Sequence, residues 1–177
     1  MTPDSLTQLR SAIRDVPDFP QPGIVFKDIT PVLADAALLK LAIDGMAEAV
    51  AGQKVDKIVG VDARGFIFGS MLAQKLGTGF IPARKKGKLP WKTRSLDYAL
   101  EYGTNCIEMH LDAIRPGENI LLADDLLATG GTAAASLDLM KQAGANILGS
   151  VFFIELDFLQ GRERVAGYGP VHSLLNF

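Results

Sequence analysis

The sequence has few of the residues that cross-link a small protein or bind metals. Cys106 is its only cysteine, which excludes an intramolecular disulfide and a cysteine-based zinc site and favours a reducing compartment. Because no Cys/His signature accompanies it, we interpret Cys106 as a packed apolar residue. The only two histidines, His110 and His172, have no partner at metal-ligand spacing, and we interpret both as structural or surface residues.

Long apolar runs and a large excess of either charge are also missing. No run approaches the ~20 apolar residues of a membrane-spanning helix. The first residues, Met-Thr-Pro-Asp-Ser, lack the basic and apolar regions of a signal peptide. The net charge of −2 argues against broad nucleic-acid binding, although it does not exclude a local basic site. We therefore expect a cytoplasmic protein that binds neither nucleic acid nor membrane.

The chain does have enough apolar residues for the core of one domain. Its 177 residues are 48% hydrophobic, which suits a single domain with a substantial core. From residue 35 onward, strand-like segments alternate with helix-like ones, which predicts an α/β fold with a mostly parallel sheet flanked by helices. Residues 1–34 do not follow this rhythm. We expect them to form a small hood over the strand ends of the 35–177 core.

Individual elements can also be predicted from the pattern. A helix is expected to start at Thr2-Pro3 and to carry one apolar face of Leu6, Leu9, Ile13 and Val16. Residues 85–97 are predicted to be an open loop. The remaining predictions are helices over 35–51, 66–76 and 133–143, strands over 57–61, 80–83, 120–123 and 147–156, and a hairpin that joins 98–102 to 106–111 around Gly103.

The segment from Ile120 to Thr132 is the most informative about function. An apolar run predicts a buried strand that ends at two adjacent carboxylates, Asp124 and Asp125, and a small-residue loop and a helix follow. In open parallel sheets, ligands bind beside such strand ends. The free N–H groups of a helix start favour an anion, whereas carboxylates suit hydroxyl groups or a metal. Together they indicate a sugar phosphate.

The same segment has a purely structural alternative, which is an acidic turn followed by a capped helix. Two carboxylates next to a phosphate-type loop favour the functional interpretation. A Walker A loop is excluded because no Gly-Lys-Thr follows the spacer, and a dinucleotide fingerprint is excluded because Gly-x-Gly-x-x-Gly is absent.

Two segments that contain cationic side chains lie at or near predicted strand ends. Asp62 to Gly65 follows a strand directly, and its turn amides and Arg64 suit a diphosphate, although ordinary turn chemistry is the alternative. Arg84 to Lys88 places four cations in five residues. Such a run is either a solvated loop or a mobile loop that closes over a polyphosphate, and the sequence favours neither.

Aromatic residues accompany two further candidate segments. Glu101 lies between Tyr98 and Tyr102, so it is either an exposed strand carboxylate or an acid/base group shielded from water. Phe26 is by default a core residue. It also suits stacking on a flat heteroaromatic ring, whose edge the backbone of Val25 and Lys27 would then read.

Taken together, these motifs resemble the adenine phosphoribosyltransferases, which belong to the type I phosphoribosyltransferase family. The similarity covers nearly the whole chain. It rests on five motifs that begin at Phe19-Pro20, Arg64-Gly65-Phe66, Lys86-Gly87-Lys88, Leu100-Glu101-Tyr102-Gly103 and Asp124-Asp125. The resemblance implies transfer of 5-phosphoribose from phosphoribosyl diphosphate to adenine, giving AMP and diphosphate. It also implies use of Mg²⁺ and a cytoplasmic homodimer.

The resemblance assigns a role to each matching position. It implies Glu101 as the catalytic residue, with Tyr102 on the same loop. Adenine would be bound by Val25, Phe26, Lys27 and Leu156. The ribose and the 5-phosphate would be bound by Asp124, Asp125, Ala128, Thr129, Gly130, Gly131 and Thr132. The diphosphate would be bound by Asp62, Ala63, Arg64, Gly65, Arg84 and Lys88, while the magnesium would be held mainly through the substrate.

Two rival functions remain open from the sequence. A nucleotide-sensing regulator on the same fold would need a nucleic-acid-binding surface, and no basic helix or added domain is seen. An enzyme for a 6-oxo purine commonly has a lysine near the later strand, where this chain has Leu156 and Asp157.

Overall fold

The structure, a computed structural model, describes residues 1–99 and 104–177. Its helices are α1 (Pro3–Ala12), α2 (Thr30–Ala34), α3 (Ala36–Ala49), α4 (Gly65–Leu76), α5 (Gly131–Gln142) and α6 (Gly161–Val165). Its strands are β1 (Arg14–Pro17), β2 (Val25–Asp28), β3 (Lys57–Val61), β4 (Gly79–Lys85), β5 (Thr93–Ala99), β6 (Thr104–His110), β7 (Asn119–Leu127), β8 (Asn146–Glu155) and β9 (Val171–Asn176).

Seven of the strands form the central sheet, in the order β5-β6-β4-β3-β7-β8-β9. β4, β3, β7, β8 and β9 pair parallel with one another, whereas β6 pairs antiparallel with both β4 and β5. The predicted α/β fold with a mostly parallel, helix-flanked sheet is therefore confirmed. Because β3 and β7 are adjacent and parallel, the segments that follow them meet at one edge of the sheet.

Each face of the sheet has its own apolar core. Successive side chains of a strand point to opposite faces, so Phe153 belongs to the cluster under α3 and α4, whereas Phe152 belongs to the cluster under α5. Phe153 stacks on Phe68 of α4 with the ring centroids 5.2 Å apart. Fully buried β-branched and aromatic side chains in β3, β7 and β8 explain why these segments form central strands.

Local signals define the helices that were predicted. Asp35 caps α3 by accepting hydrogen bonds from the N–H groups of Ala37 and Leu38, at 2.8 and 3.0 Å. Gly77 ends α4 in the left-handed conformation with φ of 68°. Within the described residues, no helix is long and apolar enough to cross a membrane.

Several predicted boundaries were wrong. β7 continues to Leu127, so Asp124 and Asp125 lie within the strand, near its C-terminal end, and not after it. Residues 93–97 form part of β5 and not an open loop, because every residue of β5 pairs with β6. The first helix stops at Ala12, and Val16 lies in β1. Strands β2 and β9 were not predicted.

Residues 1–34 combine a buried part with an exposed ribbon. Leu9 of α1 and Val32 of α2 are fully buried in the same cluster as α3 and α4. β1 and β2 form a separate two-stranded antiparallel ribbon, in which Val16 pairs with Phe26. The segment thus shares the core of the domain and also presents a ribbon beside the sheet.

Candidate active site

A cavity of about 370 Å³ lies where β3 and β7 reach the same edge of the sheet. It brings together the two motifs that were predicted to bind a phosphorylated sugar. Its lining residues are Val61 to Arg64 from the end of β3 and Asp124 to Ala133 from β7, the following loop and the start of α5.

The loop between β7 and α5 is shaped to receive an anion. Gly130 has φ of 77°, a left-handed conformation that L side chains rarely adopt. The turn leads into α5 at Gly131, and among the described residues no side chain caps this helix start. The first N–H groups of a helix have no partner within the helix. At the cavity wall, such groups together with the Thr129 and Thr132 hydroxyls favour a phosphate.

The two carboxylates of β7 lie in different surroundings. Asp125 is 6% exposed, and its Oδ2 is 2.5 Å from Nε of Arg64. Asp124 accepts a hydrogen bond from the Asp125 backbone N–H at 2.9 Å. Burial, and then repulsion from the Asp125 carboxylate, raises the pKa of Asp124 well above its ordinary value. A ligand that donates hydrogen bonds or carries a cation would relieve this cost.

Arg64 connects the diphosphate turn to the other parts of the site. Besides its ion pair with Asp125, its guanidinium lies 5.5 Å from the centroid of the Phe26 ring. Gly65 follows it and begins α4. A Cβ at Gly65 would collide with the Asp124 carboxylate, so the close approach of α4 to β7 requires glycine at this position.

Arg84 reinforces the same turn, whereas Lys88 stays outside. Arg84 Nε donates to Oδ2 of Asp62 at 3.1 Å, and its Nη1 donates to the Lys88 carbonyl at 3.0 Å. The Lys88 residue itself is exposed and does not line the cavity. The structure therefore brings Asp62, Ala63, Arg64, Gly65 and Arg84 together but not the Lys88 side chain.

The residues predicted to bind adenine flank the cavity without lining it. Phe26 packs edge-on against Phe19, with ring centroids 5.3 Å apart, and Val25 beside it is 50% exposed. Leu156 donates its backbone N–H to the Leu127 carbonyl at 2.9 Å, directly before the phosphate loop. Phe26 is thus joined to the cavity through Arg64, and Leu156 through Leu127.

Tyr98 makes a contact that the sequence did not predict. The Thr132 hydroxyl at the start of α5 donates to the Tyr98 hydroxyl at 3.1 Å. Tyr98 lies on β5, one residue before the end of that strand. Glu101 and Tyr102, the predicted catalytic and loop residues, lie outside the described residues.

The sequence reasoning missed Gly161, which lies against the phosphate loop. A Cβ at Gly130 would come within 2.6 Å of the Gly161 carbonyl oxygen. The only local signal was a glycine within the charged segment Gln160 to Arg164.

A metal at this site would have to be carried largely by its ligand. Among the described residues, no group of three or more His, Cys, Asp or Glu side chains is arranged to hold a metal ion. Asp124 and Asp125 nevertheless offer hard oxygen donors at the cavity wall. Mg²⁺ prefers such donors, usually one or two carboxylates plus substrate phosphates and water. The residues present therefore fit a magnesium ion that is bound together with a diphosphate.

Comparison with known proteins gives consistent matches over the whole chain. Residues 32–168 match the model of the phosphoribosyl transferase domain. A relative from Syntrophotalea carbinolica named adenine phosphoribosyltransferase is 55% identical over 172 residues, which cover 97% of this chain and all of the relative. The crystal structure of adenine phosphoribosyltransferase from Rhodothermus marinus has a TM-score of 0.95 and 53% identity, covering 99% of this chain and 100% of that one.

A third comparison comes from a structure with ligands. The Saccharomyces cerevisiae adenine phosphoribosyltransferase, crystallised with an imino-altritol bisphosphate and adenine, has a TM-score of 0.92 and 41% identity. The alignment covers 98% of this chain and 99% of the yeast chain.

Proposed function

The chain belongs to the phosphoribosyl transferase domain family, and we infer that it transfers 5-phosphoribose from 5-phosphoribosyl 1-diphosphate to adenine. The products are AMP and diphosphate, so the reaction is a pentosyl transfer of purine salvage. The observation that carries this conclusion is the cavity in which paired carboxylates meet a phosphate loop, in a chain about half identical to adenine phosphoribosyltransferases over its full length.

We propose that the cavity binds the ribose 5-phosphate part of the substrate. The N–H groups of the loop from Ala128 to Thr132 would hold the 5-phosphate, because they end at an uncapped helix start. Asp124 and Asp125 would accept hydrogen bonds from the ribose hydroxyls. Because burial raises the pKa of Asp124, hydrogen bonds donated by the ribose hydroxyls would stabilise its charged form.

The diphosphate is proposed to lie at the turn from Asp62 to Gly65. Arg64 and Arg84 supply guanidinium groups there, and both are held by carboxylates of the same wall. Lys88 is exposed on the neighbouring loop, and it would reach the diphosphate only if that loop closed. Mg²⁺ would be held mainly through the diphosphate, with the Asp124 and Asp125 oxygens as hard donors nearby, and it would neutralise charge on the leaving group.

Adenine would bind between Phe26 and Leu156, beside the cavity. The Phe26 ring suits stacking on the purine, and the backbone of Val25 and Lys27 would read its edge. Holding both reactants in one site supplies proximity, and the guanidinium groups favour the departing diphosphate while the anomeric carbon gains oxocarbenium character. Glu101 would accept the proton that the attacking base must lose.

We further propose that the enzyme acts in the cytoplasm as a homodimer. The single cysteine and the family membership support the location, and the family resemblance supports the assembly. Arg84 resembles a family arginine that reaches the neighbouring subunit's site, although here it pairs with Asp62 of its own chain.

Product analysis tests the function directly. The purified protein is incubated with phosphoribosyl diphosphate and Mg²⁺ and with adenine, hypoxanthine, guanine or xanthine in turn. We expect AMP as the main product and kcat/KM for the 6-oxo bases at least ~100-fold lower, because a polar mismatch in a desolvated pocket costs several kcal/mol. Equal use of hypoxanthine would refute the base assignment, and no product with any base would favour a regulator.

A further inference from the structure

An ion pair between a buried carboxylate and a partly exposed guanidinium lies next to the phosphate loop, and neither the sequence motifs nor the reaction accounts for it. Glu155, the last residue of β8, is 3% exposed. Arg162 of α6 contacts both of its carboxylate oxygens: Nε donates to Oε1 at 2.9 Å, and Nη2 contacts Oε2. Ser173 of β9 donates to Oε2 at 2.6 Å. Every oxygen of the carboxylate is therefore satisfied by a fixed donor.

Hydrogen bonds from neighbouring groups keep Glu155 ionised and hold the Arg162 side chain in place. Burial alone opposes ionisation of Glu155, but the hydrogen bonds from Arg162 and Ser173 outweigh it and hold the pKa of the carboxyl below its ordinary value. The remaining nitrogen of the guanidinium, Nη1, donates to the Val171 carbonyl at 2.7 Å. Arg162 is thus fixed between two strands of the sheet, with the planar geometry that a bidentate pair requires.

The residue next to Arg162 is the one that contacts the phosphate loop. Between Glu155 and Arg162 the chain reverses through Gln160, whose φ is 53°, so that Gly161 starts α6 against the loop. A Cβ on Gly161 would collide with the Ala128 carbonyl and would lie 2.9 Å from the Gly130 backbone nitrogen. The loop backbone therefore rests on the backbone of Gly161 with no side chain between them.

We propose that Glu155 and Arg162 are positioning residues for the phosphate loop. By fixing the position of Gly161, they fix the backbone against which residues 128–130 pack. The N–H groups of that loop are thereby oriented toward the 5-phosphate. This inference rests on the proposed role of the loop. A preorganised set of donors binds an anion more tightly than a mobile one, because no ordering cost arises on binding.

Two variants loosen the clamp without touching the cavity. Glu155→Gln keeps the shape and removes the charge, whereas Arg162→Lys keeps the charge and removes the planar fork. A matched control exists at the opposite end of the sheet. Glu118 accepts from Lys57 at 2.7 Å, at the start of β3, so Glu118→Gln neutralises a comparable ion pair away from the loop.

The measurements compare ligands with and without the phosphate. We expect both clamp variants to weaken AMP binding and to raise KM for phosphoribosyl diphosphate about 10- to 100-fold, because a displacement of about 1 Å in a positioning group has effects of that size. Adenosine affinity and KM for adenine should stay within about twofold of the parent. Glu118→Gln should lower the melting temperature while leaving all four ligand parameters unchanged.

The AMP and adenosine affinities of the variants decide whether Glu155 and Arg162 position the phosphate loop. Unchanged AMP affinity in a folded Arg162→Lys protein would overturn the proposal, and so would equal losses for AMP and adenosine. If Glu155→Gln does not fold, Arg162→Lys alone carries the test. A parent protein that makes no AMP would instead contradict the proposed function, so the two failures can be told apart.

Discussion

At the scale of single residues, the adjacent carboxylates Asp124 and Asp125 differ more than their sequence suggests. Asp125 forms an ion pair with Arg64, with Oδ2 and Nε 2.5 Å apart. Burial and the neighbouring charge raise the pKa of Asp124. The folded protein therefore binds a proton at Asp124 more tightly than the unfolded chain does. Between the unfolded pKa near 3.8 and the higher folded value, stability falls as the pH rises, and above that window the ionised group opposes folding.

Asp124→Asn should for this reason stabilise the free protein and impair ligand binding. The amide oxygen still accepts the Asp125 N–H but carries no charge, so we expect a higher melting temperature at pH 8, by roughly 2–4 °C for each kcal/mol regained. AMP affinity should fall about tenfold, because a charged acceptor for the ribose hydroxyls is lost. Calorimetry at pH 4.5 and pH 8 checks the sign: the advantage of the variant must grow with pH, and one that shrinks would contradict it.

Glu101→Gln tests the proposed proton acceptor. The variant keeps the shape of the side chain and loses its basic oxygen, so kcat should fall ~10²-fold or more with little change in the affinity for phosphoribosyl diphosphate. Glu48→Gln, which neutralises a carboxylate 62% exposed on α3, is the control and should leave kcat unchanged. Steady-state kinetics with circular dichroism suffices, and a kcat within threefold of the parent would remove Glu101 from the mechanism.

At the scale of elements, a hydrogen bond links β5 to the end of the phosphate loop. Thr132 at the start of α5 donates to Tyr98 near the end of β5. Residues 100–103, which include Glu101 and follow β5 in the chain, lie outside the described residues. The hydroxyl contact thus joins the strand leading to Glu101 with the loop proposed to hold the 5-phosphate.

Tyr98→Phe should weaken this coupling while leaving the fold intact. One neutral hydrogen bond contributes about 0.5–1.5 kcal/mol, so we expect kcat to fall about 2- to 10-fold with both KM values within twofold. Tyr168→Phe is a matched control, since the Tyr168 hydroxyl donates to Asp138, which lies on α5 as Thr132 does, at 2.7 Å. The control should lose stability but not kcat. Equal kinetic effects of the two variants would rule out a specific role for Tyr98.

At the scale of the whole molecule, Phe177 joins the two sides of the proposed adenine site. Its backbone N–H donates to the Glu155 carbonyl, and its carbonyl accepts from the Asp157 N–H, both at 2.9 Å. Its ring lies 4.5 Å from the Lys27 ammonium and 4.4 Å from the Arg10 guanidinium. The ribbon that carries Lys27 is therefore held against the segment that carries Leu156.

Phe177→Ala should loosen the base site and spare the phosphate site. Loss of a partly desolvated cation–π contact, about 0.5–2 kcal/mol, should raise KM for adenine about 3- to 10-fold. KM for phosphoribosyl diphosphate should stay within twofold. Phe158→Ala removes a ring that is 73% exposed and serves as the control. Initial-rate kinetics with each substrate varied in turn checks the result, and a matching rise in both KM values would count against the assignment.

The sequence by itself determined the α/β class, the position of β3, the cap and end of the main helices, and the two motifs that meet in the cavity. These features are encoded locally: apolar periodicity, an Asp35 cap, a terminal Gly77 and short runs such as Asp124-Asp125 act over a few residues. Residues 93–97 of edge strand β5 were predicted as a loop because Leu96 is the only apolar residue among them, so backbone pairing with β6 defines this part of the strand.

Only the tertiary structure decided which groups touch. Three contacts depend on the order of strands in the sheet. They are the ion pair of Arg64 with Asp125, the hydrogen bond from Thr132 to Tyr98 across 34 residues of chain, and the packing of the phosphate loop on Gly161. Such contacts join segments that are distant in sequence, and no local pattern records them. Their geometry follows from packing the helices on both faces of one parallel sheet, which brings the strand ends to a common edge.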